Sequence, residues 1–211
     1  MSDTAAEIAK LLLEINAIKL SVDHPFTWAS GWKSPIYCDN RLSLSYPNVR
    51  KSIKEKIAES IKSNFSEVEA IAGVATAGIP QGALVAEALE KPFIYARSKP
   101  KGHGMENMIE GKVTPNQKVV VIEDLVSTGG SSLKAVEALE ANSIRVLGMV
   151  SIFTYGFPVA DQNFKKAGVK LISLSNYNEL IHTALQLKYI DSRQVEQLRS
   201  WRQDPAAWGI S

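Results

Sequence analysis

The sequence predicts an α/β protein with a mainly parallel central sheet flanked by helices. Three observations carry this. Short, continuous apolar runs recur at 70–75, 93–96, 118–123, 145–153 and 170–174. Helical patterns separate them, as crossovers between parallel strands require. The runs also lack alternating polar positions, so the sheet is covered on both faces.

Taken in order, the first element is a helix. Thr4 and Glu7 form a capping-box pattern, and Ile8, Leu11, Leu12, Ile15 and Ile18 form one apolar stripe. Residues 21–45 break that period. They carry Pro25, Pro35 and the aromatics Phe26, Trp28, Trp32 and Tyr37, a texture of short strands and loops. A second helix starts near Pro47 and runs on Val49, Ile53, Ile57 and Ile61. Strand 70–75 leads to a helix near 79–90 and then strand 93–96. Strand 118–123 leads to a helix at about 131–141. Strand 145–153 leads to a helix near 157–167, and strand 170–174 closes the series. Residues 99–116 fit neither period; a glycine-rich, basic loop of that length inside a domain is usually functional or disordered.

The chain has 211 residues, 45% of them hydrophobic, and is expected to fold as a single domain over 1–211. A chain this long buries roughly 70% of its unfolded surface and needs no disulfide or metal staple. Its formal net charge of +2 is too small for nucleic-acid binding by bulk charge, so an anionic ligand needs a local cluster. The sole cysteine, Cys38, excludes an intrachain disulfide and agrees with a reducing compartment. No apolar run reaches transmembrane length, and the N-terminus lacks a signal-peptide pattern. The expectation is a soluble cytoplasmic protein without nucleic-acid or membrane partners.

Residues 119–132 carry the chemistry. Three valines and an isoleucine lead to two acids, Glu123 and Asp124, where the strand is expected to end. Leu125 and Val126 follow, then Ser127, Thr128, Gly129, Gly130, Ser131 and Ser132 make a donor-rich turn into a helix. Glycines let the backbone approach an anion closely, and the helix N-terminus favours negative charge. A bare phosphate site would not set two carboxylates beside the anion. A sugar phosphate would, because carboxylates accept hydrogen bonds from ribose hydroxyls. The segment is not a Walker loop, since no Gly-Lys-Ser/Thr follows. The plain alternative, a strand end with an Asp turn and a Ser/Thr cap, is outweighed by the acid pair.

A second cluster holds Arg97, Lys99, Lys101 and His103. A charge run is commonly a solvated face, the reading that suits Lys99. A highly charged leaving group needs more than a helix terminus, which supplies about 0.3–1 kcal/mol, whereas charge-assisted hydrogen bonds supply roughly 1.5–3 kcal/mol each. Residues 73–80 form a small-residue turn, either a simple strand-to-helix connection or a backbone cradle. Residues 26–41 are rich in planar groups, which suits either a satellite core or a flat base.

The segment 119–132 resembles the phosphoribosyl pyrophosphate signature of the type I phosphoribosyltransferases. From the N-terminal helix through 26–41, the loop at 97–104 and the signature to Asp204-Pro205 and Trp208, the chain resembles the orotate phosphoribosyltransferases among them. The resemblance implies that fold, with a small N-terminal hood formed by about 1–45 with part of the C-terminus, and a core sheet at about 65–175. It implies transfer of ribose 5-phosphate from phosphoribosyl pyrophosphate to orotate. Lys101, His103 and Asp124 would be catalytic. Arg97, Lys101, His103, Glu123, Asp124, Leu125, Val126, Ser127, Thr128, Gly129, Gly130, Ser131, Thr76 and Ala77 would hold phosphoribosyl pyrophosphate. Ile36, Tyr37, Cys38 and Ser127 would meet orotate, the first three largely through main chain. Mg²⁺ would arrive with phosphoribosyl pyrophosphate, touched by Asp124 through water. The family's loop reaches the neighbouring subunit's site, which implies a homodimer with loop 97–111 crossing between subunits.

The chain departs from family patterns at four places. Ser98 replaces a basic residue, Ala29 replaces a lysine near the base, and Thr76-Ala77 replaces a Tyr-Lys pair. No arginine stands in 152–156 to meet the orotate carboxylate. Two alternatives remain open at this point: a transferase for another nucleobase, or a non-catalytic sensor of phosphoribosyl pyrophosphate.

Overall fold

The structure is a computed structural model that describes residues 2–28, 31–97 and 108–208. The chain opens with α1 (Ser2–Glu14), then passes through four short strands, β1 (Ile18–Leu20), β2 (Phe26–Thr27), β3 (Lys33–Ser34) and β4 (Ile36–Cys38). β1 pairs with β4 and β2 with β3, both antiparallel. A short 3-10 helix (Asn40–Ser45) leads into α2 (Pro47–Asn64).

The first helix differs from the sequence expectation at both ends. Thr4 lies inside α1 rather than capping it. Ile15 falls beyond its end, and Ile18 belongs to β1. The reason is Asn16, which takes a left-handed φ of 55°, a conformation Asn tolerates and which closes a helix. Ile15 and Ile18 are nonetheless buried, so the apolar stripe described burial correctly while overrunning the helix. In α2 the residues Val49, Ile53, Ile57 and Ile61 all face the core, and Pro47 opens the first turn, where its missing N–H costs nothing.

The central sheet is built from β5 (Ala70–Val74), β6 (Phe93–Ala96), β7 (Ile109–Glu110), β8 (Lys118–Val126), β9 (Arg145–Thr154) and β10 (Leu171–Asn176), in spatial order β10-β9-β8-β5-β6-β7. All neighbours are parallel except β6 and β7, which form a hairpin with Ala96 opposite Ile109. β7 lies inside the stretch whose pattern fitted neither helix nor strand. α3 (Gly78–Ala88) follows β5, α4 (Gly130–Ala141) follows β8, and α5 (Pro158–Ala167) follows β9. Two helices beyond the expected last strand complete the chain, α6 (Tyr177–Gln186) and α7 (Ser192–Gln203).

Each sheet face has its own core. Ile71, Val120, Ile122, Val150 and Ile152 pack with α1, α2, α6 and α7 residues. Ala70, Ala72, Val119, Val121 and Met149 pack with Leu133, Val136, Leu139 and Phe164 from α4 and α5. Burial of both faces explains the unbroken apolar runs. At the centre of the first core, the buried Trp201 of α7 packs its ring against Trp28, Tyr155, Phe157 and Tyr177.

The order of strands positions the site. From β5 the chain winds one way to β6, then returns to add β8, β9 and β10 on the other side. The switch point lies between the carboxyl ends of β5 and β8, where open α/β sheets bind ligands.

Candidate active site

β8 runs three residues further than its apolar pattern suggested. Glu123, Leu125 and Val126 pair with Ser151, Phe153 and Thr154, so both acids lie within the strand rather than at its end. Glu123 is 5% exposed. One of its oxygens accepts from the Ser132 hydroxyl of α4 at 2.8 Å, and the other accepts from the Asp124 amide at 3.0 Å. Burial, and next the charge of Asp124, push the Glu123 carboxyl up to about 8. Burial also raises Asp124, while a hydrogen bond from Glu123 works the other way. Burial beside Asp124 thus favours the protonated form of Glu123 in the free site. A buried Glu123 beside a half-buried Asp124 places carboxyl oxygens where a polyhydroxyl ligand can donate to them.

The turn after β8 is fixed on both sides. Gly129 precedes α4 with φ of 81°, and a Cβ there would sit 2.7 Å from the Phe164 ring. Asn163 of α5 donates to the Thr128 carbonyl at 3.0 Å. The first-turn amides of α4, from Gly130, Ser131 and Ser132, have no acceptor within the helix and aim along its axis. Across the switch point, Thr76 and Ala77 lie in the turn between β5 and α3, whose Ala75–Thr76 peptide is cis. Gly78 brings this turn against β8 so closely that a Cβ would collide with the Ile122 carbonyl.

Beside the turn lies a cavity of about 370 Å³, lined by Thr27, Trp28, Tyr37, Cys38, Leu125, Ser127 and Tyr155. The expected contacts Tyr37, Cys38 and Ser127 thus converge. Leu125, expected among the residues that hold phosphoribosyl pyrophosphate, also lines this cavity. Ile36 stands behind its wall. Ile36 is fully buried, its carbonyl accepts from Trp28 Nε1 at 3.0 Å and from the Ser34 hydroxyl at 2.8 Å, and its amide donates to the same hydroxyl. Trp28 and Tyr155 have ring centroids 5.2 Å apart. A ring between them would need roughly twice the 3.5–4.0 Å contact distance, so no flat ligand fits between the two rings; Tyr155 is buried and Trp28 is the more accessible of the pair. Burial first, then Asp124 and Asp39, push the Cys38 thiol up, which keeps this wall neutral.

Several residues at this site escape motif reading. Asn40 is 1% exposed. Its amide donates to the Asp124 carbonyl at 2.7 Å and accepts from the Cys38 thiol at 3.2 Å, tying the cavity wall to the acid strand. Its own carbonyl accepts from Ser43, whose hydroxyl accepts from Gln81 of α3. Tyr155 is set by Thr154, which donates to the Val126 carbonyl at 3.2 Å and accepts from Gly156. Arg202 of α7 donates to the Tyr155 and Gly156 carbonyls. Arg97 is placed at the end of β6, with its guanidinium 3.2 Å from Glu110 of β7. Lys101 and His103, and the departures Ser98 and Ala29, lie outside the described residues.

A phosphoribosyl transferase domain model matches residues 44–188. The orotate phosphoribosyltransferase of Porphyromonas gingivalis is 59% identical over 203 residues, covering 96% of this chain and 97% of that relative. The orotate phosphoribosyltransferase of Cytophaga hutchinsonii is 55% identical over 202 residues, covering 96% and 97%. Among solved structures, orotate phosphoribosyltransferase from Aeropyrum pernix superposes with a TM-score of 0.75 at 28% identity, covering 87% of this chain and 99% of that one. With an acid pair and an anion turn at the switch point and a base-sized cavity alongside, these likenesses lead to one conclusion: the chain belongs to the phosphoribosyltransferase family, and within it to the orotate phosphoribosyltransferases.

Proposed function

We propose that the protein transfers ribose 5-phosphate from phosphoribosyl pyrophosphate to N1 of orotate, giving orotidine 5'-monophosphate and pyrophosphate, a step of pyrimidine nucleotide synthesis. The observation that carries this is the continuity of two subsites. Ser127 lines the base-sized cavity, and the same residue begins the anion turn that follows Glu123 and Asp124. A ligand spanning both carries a flat base at one end and a ribosyl phosphate at the other.

In this reading the amides of Thr128 to Ser131 hold the 5'-phosphate, while Glu123 and Asp124 accept from the ribose hydroxyls. The turn at Thr76 and Ala77 offers backbone donors to the pyrophosphate. Arg97, Lys101 and His103 meet that leaving group from the β6–β7 loop. The bond from C1 to the pyrophosphate oxygen breaks and the bond from orotate N1 to C1 forms. The N1 proton of orotate passes to water before attack, and the resulting N1 anion is the nucleophile, so no strong base residue is required. Asp124 sets negative charge near the developing cation, and Lys101 and His103 stabilise the departing oxygens. Tyr37, Cys38 and the rings of Trp28 and Tyr155 form the base wall, with Ile36 supporting it from behind.

Mg²⁺ belongs with the substrate. Asp124, half-buried at the edge of the anion turn, suits an outer contact to the ion through water. The ion supplies countercharge to the pyrophosphate. The further reading is a homodimer whose loop 97–111 reaches the neighbouring site, with residues 1–45 and part of the C-terminus acting as a hood over the sheet edge in a single domain. Among the described residues no helix is long and apolar enough to cross a membrane, and a cytoplasmic location accords with the lone thiol Cys38.

The test is pyrophosphate release with Mg²⁺ and phosphoribosyl pyrophosphate against a panel of orotate, uracil, hypoxanthine and guanine, with the nucleotide product identified by mass. Release with orotate giving orotidine 5'-monophosphate is expected. Release with a purine alone would assign another base, and no release would favour a sensor of phosphoribosyl pyrophosphate.

A further inference from the structure

The base cavity poses a problem of charge. Orotate carries a carboxylate beside its ring, and none of the described residues lining the cavity is cationic. Asp124 and Asp39 instead set a negative field at its wall, strong enough to raise the Cys38 thiol alongside burial. An acidic base entering this cavity needs a countercharge.

Among the described residues, three arginines near the site are engaged. Arg41 is paired with Asp39 through two contacts, at 2.6 and 2.9 Å. Arg202 is taken by the Tyr155 and Gly156 carbonyls behind the ring that lines the cavity. Arg97 faces Glu110. Lys33 is placed differently. It stands on β3 directly opposite Thr27 of β2, and its ammonium donates to the Thr27 hydroxyl at 2.9 Å. Thr27 is itself a lining residue of the cavity. An ammonium has three donors, and Thr27 accepts one of them. The main chain of Lys33 is anchored, since its carbonyl accepts from Nε1 of the buried Trp201 at 3.2 Å. The exposed side chain thus starts from an anchored backbone, with its charge held beside Thr27.

We propose that Lys33 is the specificity-determining cation of the base site: its ammonium, held at the cavity mouth by Thr27, pairs with the carboxylate of an acidic pyrimidine and sets the preference for orotate over uracil. This rests on the reading of the protein as an orotate transferase. The pairing is a charge-assisted hydrogen bond at a partly solvated rim, so its loss is expected to cost about 10- to 100-fold in affinity for the acidic base.

The test compares Lys33→Met and Lys33→Arg with the unaltered protein, measuring KM for orotate, KM for phosphoribosyl pyrophosphate, and inhibition by uracil competing with orotate. For Lys33→Met the orotate KM is expected to rise about 10- to 100-fold. The phosphoribosyl pyrophosphate KM and the uracil inhibition constant are expected to move less than about twofold, since neither involves the carboxylate. Lys33→Arg keeps the charge and is expected to keep the preference for orotate. An unchanged orotate KM in Lys33→Met, an equal loss for orotate and uracil, or a Lys33→Arg protein as unselective as Lys33→Met would each overturn the proposal. If the unaltered protein releases no pyrophosphate with orotate, the transferase reading itself fails. If it does and only selectivity is unmoved, the role of Lys33 alone fails.

Discussion

Replacing Glu123 by Gln removes a buried ionisable group while keeping its shape, and the consequence should be visible in how stability depends on pH. In the unfolded chain this carboxyl releases its proton near 4.5; in the folded protein it holds the proton until about 8. Between those values the folded state binds more protons than the unfolded state, so stability falls as pH rises through the window. The stabilising contribution is complete below the lower value and lost above the upper one. Moving the carboxyl from 4.5 to about 8 corresponds to about 5 kcal/mol at roughly 1.4 kcal/mol per factor of ten. Asp124, also raised by burial, accepts from Glu123 and shares part of that penalty. We therefore expect the stability of the unaltered protein, relative to Glu123→Gln, to fall by roughly 2–4 kcal/mol between pH 5 and pH 8.5. Urea unfolding at constant ionic strength across this range measures it. The Gln amide keeps one of the two bonds to Ser132 and the Asp124 amide, so a constant offset between the proteins is expected and carries no weight. Parallel stability curves would refute the argument that Glu123 is protonated in the free site.

Three further perturbations address separate parts of the site. Asn40→Ala leaves the Asp124 carbonyl and the Cys38 thiol without their shared partner, and about 1–3 kcal/mol of stability should be lost on urea unfolding; no loss would remove Asn40 as the tie between wall and strand. Gly129→Ala meets both a φ of 81° and the Phe164 ring at 2.7 Å, and should lower stability by about 1–3 kcal/mol, with phosphoribosyl pyrophosphate binding weakened in calorimetry; unchanged binding would show the turn is not the phosphate cradle. Lys101→Ala should depress kcat by about 100-fold or more with little change in KM for phosphoribosyl pyrophosphate, the signature of a contact made in the transition state; unchanged turnover would remove that role.

The parts of this molecule legible in its sequence are those governed by short-range pattern. The α2 stripe and β6 were set by the spacing and run of apolar side chains, and both match the structure. Where polar residues sit inside regular structure, pattern reading stops early. The expected strand ended at Glu123, its first acid, yet pairing of Leu125 and Val126 with β9 carries the strand on, and the buried Glu123 is satisfied by Ser132 and an amide. It also missed α6 and α7, although each carries a cap: Asn176 accepts from the Glu179 amide, and Asp191 and Gln194 form a reciprocal capping box. The turn residues Ser127 to Ser131 were readable because they are contiguous. The cavity was only half readable, because Tyr155 and Leu125 close a wall whose other side is Thr27 to Cys38. Asn40 reaches an acid strand 84 positions away, a link that no local motif encodes.

The central claim is that one ligand spans the acid pair, the anion turn and the base cavity. A crystal structure with orotidine 5'-monophosphate bound tests it most directly. The expected complex has the phosphate on the amides of Thr128 to Ser131, ribose hydroxyls donating to Glu123 and Asp124, and the pyrimidine against Trp28, Tyr37 and Tyr155. A nucleotide bound with its base outside that cavity, or with its phosphate away from the α4 N-terminus, would contradict it.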